Sequence, residues 1–441
     1  MTWKNKKMKE IFKKIIFLIL TIEAKLVLLR YRPKIVAITG TVGKTATKDA
    51  IYHGLSSKLH VRKNNKSMNS EIGVPLTILG LDSGWNNPGY WLQNILRGFV
   101  QIFYRPNYPR WLVLETGIDH PGDMKRTASW LKPDVAVVTN FAKVPSHVEN
   151  FDSPEDVMYE EGSLMEYLRS DGVLILNGDD EDILKLKSKS KNKVYTYGMG
   201  EVDLVASNYS VIYEGREENN PIATGISFKV NYQGNSIPIN IKGVIGDQFI
   251  YPVLAALSVG VSIGISAVDI STAFTNMEFA PGRMNLLKGE NGTTLIDDTY
   301  NSSPIAAAKA ISTLSMMECN GMKIAVLGDM LEIGHFSASE HRKAGAFIAK
   351  SDIDILITVG MRSQSTMEAA IENKMAKKRV FHFEKSVDAI EKVREFLGEG
   401  NIILVKGSQG IRMEKISKEL LEDKGSASEV LVRQESVWLN K

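Results

Sequence analysis

A single cysteine, Cys319, among 441 residues leaves no internal disulfide to form, which excludes a small cross-linked scaffold and suits a reducing compartment such as the cytoplasm. An excess of charge of either sign is missing too. With 54 Lys and Arg against 51 Asp and Glu, the formal charge of +3 is too balanced to imply nucleic acid as the main partner. Long apolar runs are scarce near the N-terminus, where the charge-free stretch from Ile15 to Ile22 falls far short of the ~20 residues a bilayer-spanning helix needs. Histidine is sparse, and those at positions 53, 60, 120, 335 and 382 show no metal-ligand spacing. What is present is ordinary for a globular chain: 44% hydrophobic and 24% charged residues, long enough for two or three domains of roughly 100–200 residues.

Basic character is local. Lys4, Lys6, Lys7, Lys9, Lys13 and Lys14 precede an apolar stretch from Ile15 to Leu29 that runs, without a small-residue cleavage pattern, into a strand-like segment. The segment is expected to be a helix attached to the first domain. It either packs on that domain or a second subunit, or lies in the interface of the inner membrane with Phe12, Ile16, Ile19 and Leu20 among the acyl chains and its lysines on anionic lipid.

The strongest motif follows. Lys34 to Thr39 is a short β-branched run, then come Gly40, Thr41, Val42, Gly43, Lys44 and Thr45, and from Ala46 a helix-compatible stretch to Leu55. Strand, glycine turn and helix form the context in which backbone N–H groups close around phosphate oxygens, a lysine reaches the β/γ-phosphates and a hydroxyl ligates Mg²⁺. The loop departs from the common pattern in having Ile38 where a first glycine usually stands.

That loop resembles the phosphate loop of the Mur ligase superfamily, ATP-dependent enzymes that join an amine to a carboxylate. Further segments carry the resemblance in family order: Asn69 to Pro75, Leu114 to Gly117, Pro133 to Asn140, Asp297 to Pro304 (DDTYNSSP), Val326 to Gly334 (VLGDMLEIG), and Val405 to Ser408 with Arg412 and Met413. They are most similar to the branch that acts on a peptidoglycan precursor, a muramoyl-tripeptide, and adds D-alanyl-D-alanine. The resemblance implies ATP and Mg²⁺ as cofactors and a carboxylate activated as an acyl phosphate, so that charge stabilisation dominates the site. It implies phosphate and nucleotide binding by Gly40 to Ala46, Arg283 and Asp298; Mg²⁺ ligation by Thr45, Glu115 and His147; and substrate contacts from Asn69, Ser70, Tyr300, Asn301 and Lys406. In the family a lysine beyond the histidine is carbamylated by CO₂ and ends in a carboxylate. Counted from His147, that position here is Glu161, beside Glu160, and no lysine lies between Lys143 and Lys185. Glu161 is expected to supply the negative charge directly, unless the pair is simply an exposed helix face. The family's adenine-binding amides are replaced by Gln248, Phe249 and Pro252; Phe249 either stacks on the base or belongs to the core.

The expected architecture is α/β. Residues 1–33 form the N-terminal helix, and 34–280 a P-loop domain with a mostly parallel sheet and a small β subdomain near Val194 to Val244. Residues 281–424 form a Rossmann-like domain that closes over the first, and 425–441 a mobile tail. The related ligases begin with a domain that holds the UDP-sugar, and with residues 1–33 ahead of the first strand the UDP half has no evident home. A poly-glutamyl or folate-type ligase, a lipid-linked acceptor, a non-catalytic ATP-binding scaffold and a membrane-surface P-loop regulator are the alternatives.

Overall fold

The computed structural model describes residues 3–65, 68–84, 87–145, 148–215, 220–435 and 438, with 3–11, 13 and 276 described by backbone alone. Two compact units emerge. The first comprises 1–141, 150–205 and 251–273, the second 142–149, 206–250 and 274–441.

In the first unit six strands lie in the order β2-β3-β1-β4-β5-β6, all parallel: β1 (Lys34–Thr39), β2 (Val61–Lys63), β3 (Trp111–Glu115), β4 (Val135–Val138), β5 (Val173–Asn177) and β6 (Lys193–Gly198). Ile35 through Thr39 of β1 are buried, as expected of a parallel strand covered on both faces. The chain order reverses around β1, and the carboxyl ends of β1, β3 and β4 meet there, the edge where open α/β sheets hold ligands. Helix α1 (Trp3–Tyr31) packs Ile16, Leu20, Ala24 and Val27 into the same core as Leu76, Ile78 and Leu112. It ends where Arg32 turns left-handed, at φ 45°, before Pro33, which cannot continue a helix. The other helices that matter here are α2 (Lys44–Ser56), α3 (Gly73–Leu79), α4 (Pro88–Phe103), α5 (Asp123–Ala128) and α6 (Pro154–Gly162). Helix α6 starts on Ser153, whose hydroxyl accepts from the Asp156 amide, with proline in the first turn.

In the second unit β7 (Leu204–Glu214), β8 (Ile222–Tyr232) and β9 (Asn235–Lys242) supply the small β element; β8 and β9 pair antiparallel, and β9 shows strict in–out alternation. A six-stranded sheet follows in the order β10-β11-β15-β12-β13-β14: β10 (Asn285–Lys288), β11 (Thr294–Asp298), β12 (Lys323–Gly328), β13 (Ile355–Val359), β14 (Val380–Phe383) and β15 (Ile402–Lys406). Only β10 runs antiparallel.

The tail expectation needs correction as far as residue 435. Ala427, Leu431 and Val432 are buried, and Arg433 donates to the carbonyls of Thr299 and Tyr300. An apolar pair beside an arginine gave no sequence sign of those carbonyls. Phe249 is a core residue, buried edge-on against Phe279 at 4.5 Å between centroids, so the base-stacking option falls away.

Candidate active site

The phosphate loop of the first unit is shaped by close approach. Gly40 has φ 127°, and a Cβ there would lie 2.2 Å from Thr139 Oγ1; Gly43 has φ 87° and caps α2 in the left-handed conformation. Thr139, just past β4, donates its hydroxyl to Val42 O at 2.7 Å, and the Thr41 amide donates to Asn140 O at 2.8 Å, so the loop is strapped to the neighbouring strand end. Ala46 lies in the first turn of α2, whose N-terminus opens toward the loop.

Two lysines of α2, one turn apart, meet two glutamates. Lys44 Nζ donates to the carbonyl of Gly40 and lies 3.2 Å from Glu161 Oε1. Glu161 is 2% exposed; its Oε2 also accepts from Thr39 Oγ1 and, at 3.0 Å, from the Gly40 amide. The exposed-face reading of Glu161 is therefore wrong: α6 turns this side chain, like Val157 one turn earlier, inward. Glu160 behaves differently, accepting from the Met124 amide at the start of α5 at 2.8 Å.

Glu115, at the end of β3 and level with Ile38, is the second acid. It accepts from Thr45 Oγ1 at 3.0 Å and from Asn69 Nδ2 at 3.1 Å, and lies 3.6 Å from the buried Lys48 ammonium. Ser70 is exposed beside Asn69, its hydroxyl oxygen facing the Gly73 amide at 3.4 Å.

Lys48 and Asn64 were not singled out from the sequence. Asn64 is buried, receives the Glu115 amide at 2.9 Å and donates to Glu115 O at 3.1 Å, a clamp that fixes the carboxylate's backbone. Lys48 had a local sign, its spacing from Lys44 along α2; Asn64 had none, because its partner is distant in sequence. His147 lies outside the described residues.

A hydroxyl beside a carboxylate is a hard-oxygen set suited to Mg²⁺, and the glycine cradle is shaped for phosphate oxygens, so Thr45 with Glu115 and the loop fit Mg²⁺ and ATP. Among the described residues no group of three or more His, Cys, Asp or Glu could hold a metal, so Thr45 and Glu115 supply only part of a coordination shell.

In the second unit the expected residues gather at the carboxyl ends of β11 and β15. Lys406 is buried and donates to Asp298 Oδ2 at 2.6 Å and to Asn301 O at 3.1 Å. Its ammonium is thus engaged with the signature segment rather than presented to substrate, a correction to the contact expected of it. Arg283 lies 4.2 Å over the Tyr300 ring. Asp297 is wholly buried: burial pushes its carboxyl up to about 7, against the opposing hydrogen bonds from Ser417 and Thr299. His341, in the helix that follows the VLGDMLEIG segment, accepts from that segment's Met330 amide through Nε2 at 3.0 Å, which leaves Nδ1–H to donate to Ser337 O at 2.7 Å; burial lowers its pKa and favours that neutral tautomer.

Known proteins with the same features decide the family. The Mur ligase middle domain matches residues 93–260 and the Mur ligase, glutamate ligase domain matches 282–409. The UDP-N-acetylmuramoyl-tripeptide--D-alanyl-D-alanine ligase of Bacillus subtilis is 30% identical over 399 residues, 90% of this chain and 78% of that protein. The chain belongs to the Mur ligase family. The Escherichia coli ligase of the same name is 27% identical over 395 residues, covering 88% of this chain and 77% of its own length. In fold, the chain resembles the Thermotoga maritima MurF ligase solved in complex with ADP, with a TM-score of 0.74 at 23% identity, over 92% of this chain and 83% of that one. As a Mur ligase this chain is an ATP-dependent, ADP-forming ligase of peptidoglycan precursor synthesis.

Proposed function

We propose that this ligase joins D-alanyl-D-alanine to the terminal carboxylate of a UDP-muramoyl-tripeptide. The similarity over nine-tenths of the chain to relatives of that name supports the substrate pair, as do DDTYNSSP and VLGDMLEIG. The observation that carries the chemistry is the pairing of Lys44 with the buried Glu161 at the mouth of the phosphate loop.

Bound Mg²⁺-ATP supplies a γ-phosphoryl group that turns the peptide carboxylate into an acyl phosphate, a better electrophile for an amine. Val42, Gly43 and Ala46 would offer backbone N–H groups to the phosphates, while Gly40 and Thr41 shape the loop with amides held by Glu161 and Asn140. Lys44 neutralises their developing charge, and Glu161 holds that lysine against Gly40 from a protected position. Thr45 and Glu115 would hold Mg²⁺, with Asn69 and Asn64 fixing the glutamate, and the family resemblance implies His147 as a further ligand. In the first unit Ser70 would contact a peptide substrate; in the second, Asp298, held by Lys406, would take ribose hydroxyls, Arg283 phosphate, and Tyr300 and Asn301 a peptide substrate.

The fixed carboxylate of Glu161 takes the place of the family's CO₂-derived one. Phosphate release by the purified chain with ATP and Mg²⁺ tests the reading. It is expected only when UDP-muramoyl-tripeptide and D-alanyl-D-alanine are both present, with product carrying the dipeptide's added mass; nucleotide binding without product refutes it.

A further inference from the structure

We infer that α1 and α4 of the first unit form a membrane-docking face that seats on the surface of an anionic bilayer. Helix α1 has two apolar faces. One is spent in the core through Ile16, Leu20, Ala24 and Val27. The other recurs at intervals of three and four residues and is open to water: Phe12, Ile15, Leu18, Ile22, Leu26 and Leu29, the last 71% exposed.

Helix α4 runs beside it. Tyr31 Oη donates to Gln101 O at 3.0 Å, Arg30 donates to Phe103 O at 3.3 Å, and Gly98 leaves room for Glu23, whose carboxylate would lie 2.1 Å from any Cβ there. Its outward side carries Leu92, Leu96, Phe99 and Phe103, each more than half exposed, with the two rings 5.2 Å apart. Two neighbouring helices with exposed apolar stripes make a patch that water alone does not stabilise.

Charge selects the occupant. Residues 1–32 hold nine cations and two acids, and one of those acids, Glu23, is buried between the helices. The only charged side chain of α4 is Arg97. Lys14 and Lys25, about three turns apart, are exposed along one edge of the α1 stripe. A second copy would bring two such cationic surfaces together, whereas an anionic lipid surface offers opposite charge at the headgroups and an apolar boundary beneath them. No helix among the described residues is long and apolar enough to cross a membrane, so the pair lies along the surface. Because the inner face of α1 is core, the whole domain docks with it.

Co-sedimentation of the full chain with vesicles of phosphatidylglycerol and phosphatidylcholine tests this without any ligase substrate, so it is independent of the catalytic reading. Binding is expected, falling at least about tenfold on pure phosphatidylcholine and at about 0.5 M salt. The Leu96→Glu/Phe99→Glu variant is expected to lose binding while its thermal transition and ATP-dependent turnover with soluble substrates stay unchanged. Lys14→Glu/Lys25→Glu, which leaves the apolar face intact, is expected to lose the preference for anionic lipid. Equal binding to both vesicle types, no binding, or a dimer in light scattering that Leu96→Glu/Phe99→Glu dissociates would overturn the proposal.

Discussion

Glu161 carries the sharpest consequence at the level of single side chains. Glu161→Gln keeps the size of the group and an acceptor for the Gly40 amide but removes the charge that faces Lys44. Turnover at saturating Mg²⁺ is expected to fall about 100- to 1,000-fold, the range for losing one preorganised electrostatic contact, with the folded state kept. Asn64→Ala has a different signature. It orphans the buried amide and carbonyl of Glu115, so urea unfolding should show a loss of about 1–3 kcal/mol, together with half-maximal activity at higher Mg²⁺. The phosphate loop was legible from sequence because its parts are contiguous and glycine is demanded by local backbone geometry at Gly40 and Gly43. Glu161 was legible only by counting from His147. Asn64 was not legible, since a buried amide that clamps a strand 51 residues away leaves no local pattern.

Elements were read well where burial sets a simple period. The runs that became β1, β3, β4 and β5 are largely apolar, with β-branched residues dominant in β1 and β4, and parallel strands covered on both faces produce that pattern. Helix α1 was harder, because being apolar on nearly all sides hid which face the core takes. Deleting residues 1–30 would strip Ile16, Leu20, Ala24 and Val27 from the core and is expected to destabilise the first unit, so loss of activity in that variant would say nothing of membranes. The α1–α4 contact has a pH signature of its own. Burial pushes Glu23 up to about 7 from an ordinary 4.5, so the folded state binds the extra proton between those values. The stability this contributes is full below about 4.5 and lost as pH rises through about 7. Glu23→Gln should therefore be more stable than the parent at about pH 8 and lose that advantage toward about pH 5, read by urea midpoints.

Across the molecule, two α/β units were foreseeable from alternating strands and helices, but the path of the chain between them was not. Residues 142–149 and 206–250 group with the second unit, so its segments are not contiguous in sequence. The tail shows the same limit: Arg433 holds the carbonyls after the Asp-Asp signature and lies 3.3 Å from the buried Glu414, a contact made 19 residues beyond it. Arg433→Ala leaves those acceptors unmet and is expected to cost about 3 kcal/mol in the second unit, measured by urea unfolding. The central claim is that this Mur ligase makes its amide bond with a carboxylate built into the chain. Its most direct test is the rate of amide product formation in buffer depleted of CO₂, compared with bicarbonate-supplied buffer. The account predicts equal rates for the parent chain, and a slow Glu161→Gln variant that bicarbonate does not rescue. A parent rate that collapses without CO₂, or a Glu161→Gln rate equal to the parent's, would contradict it.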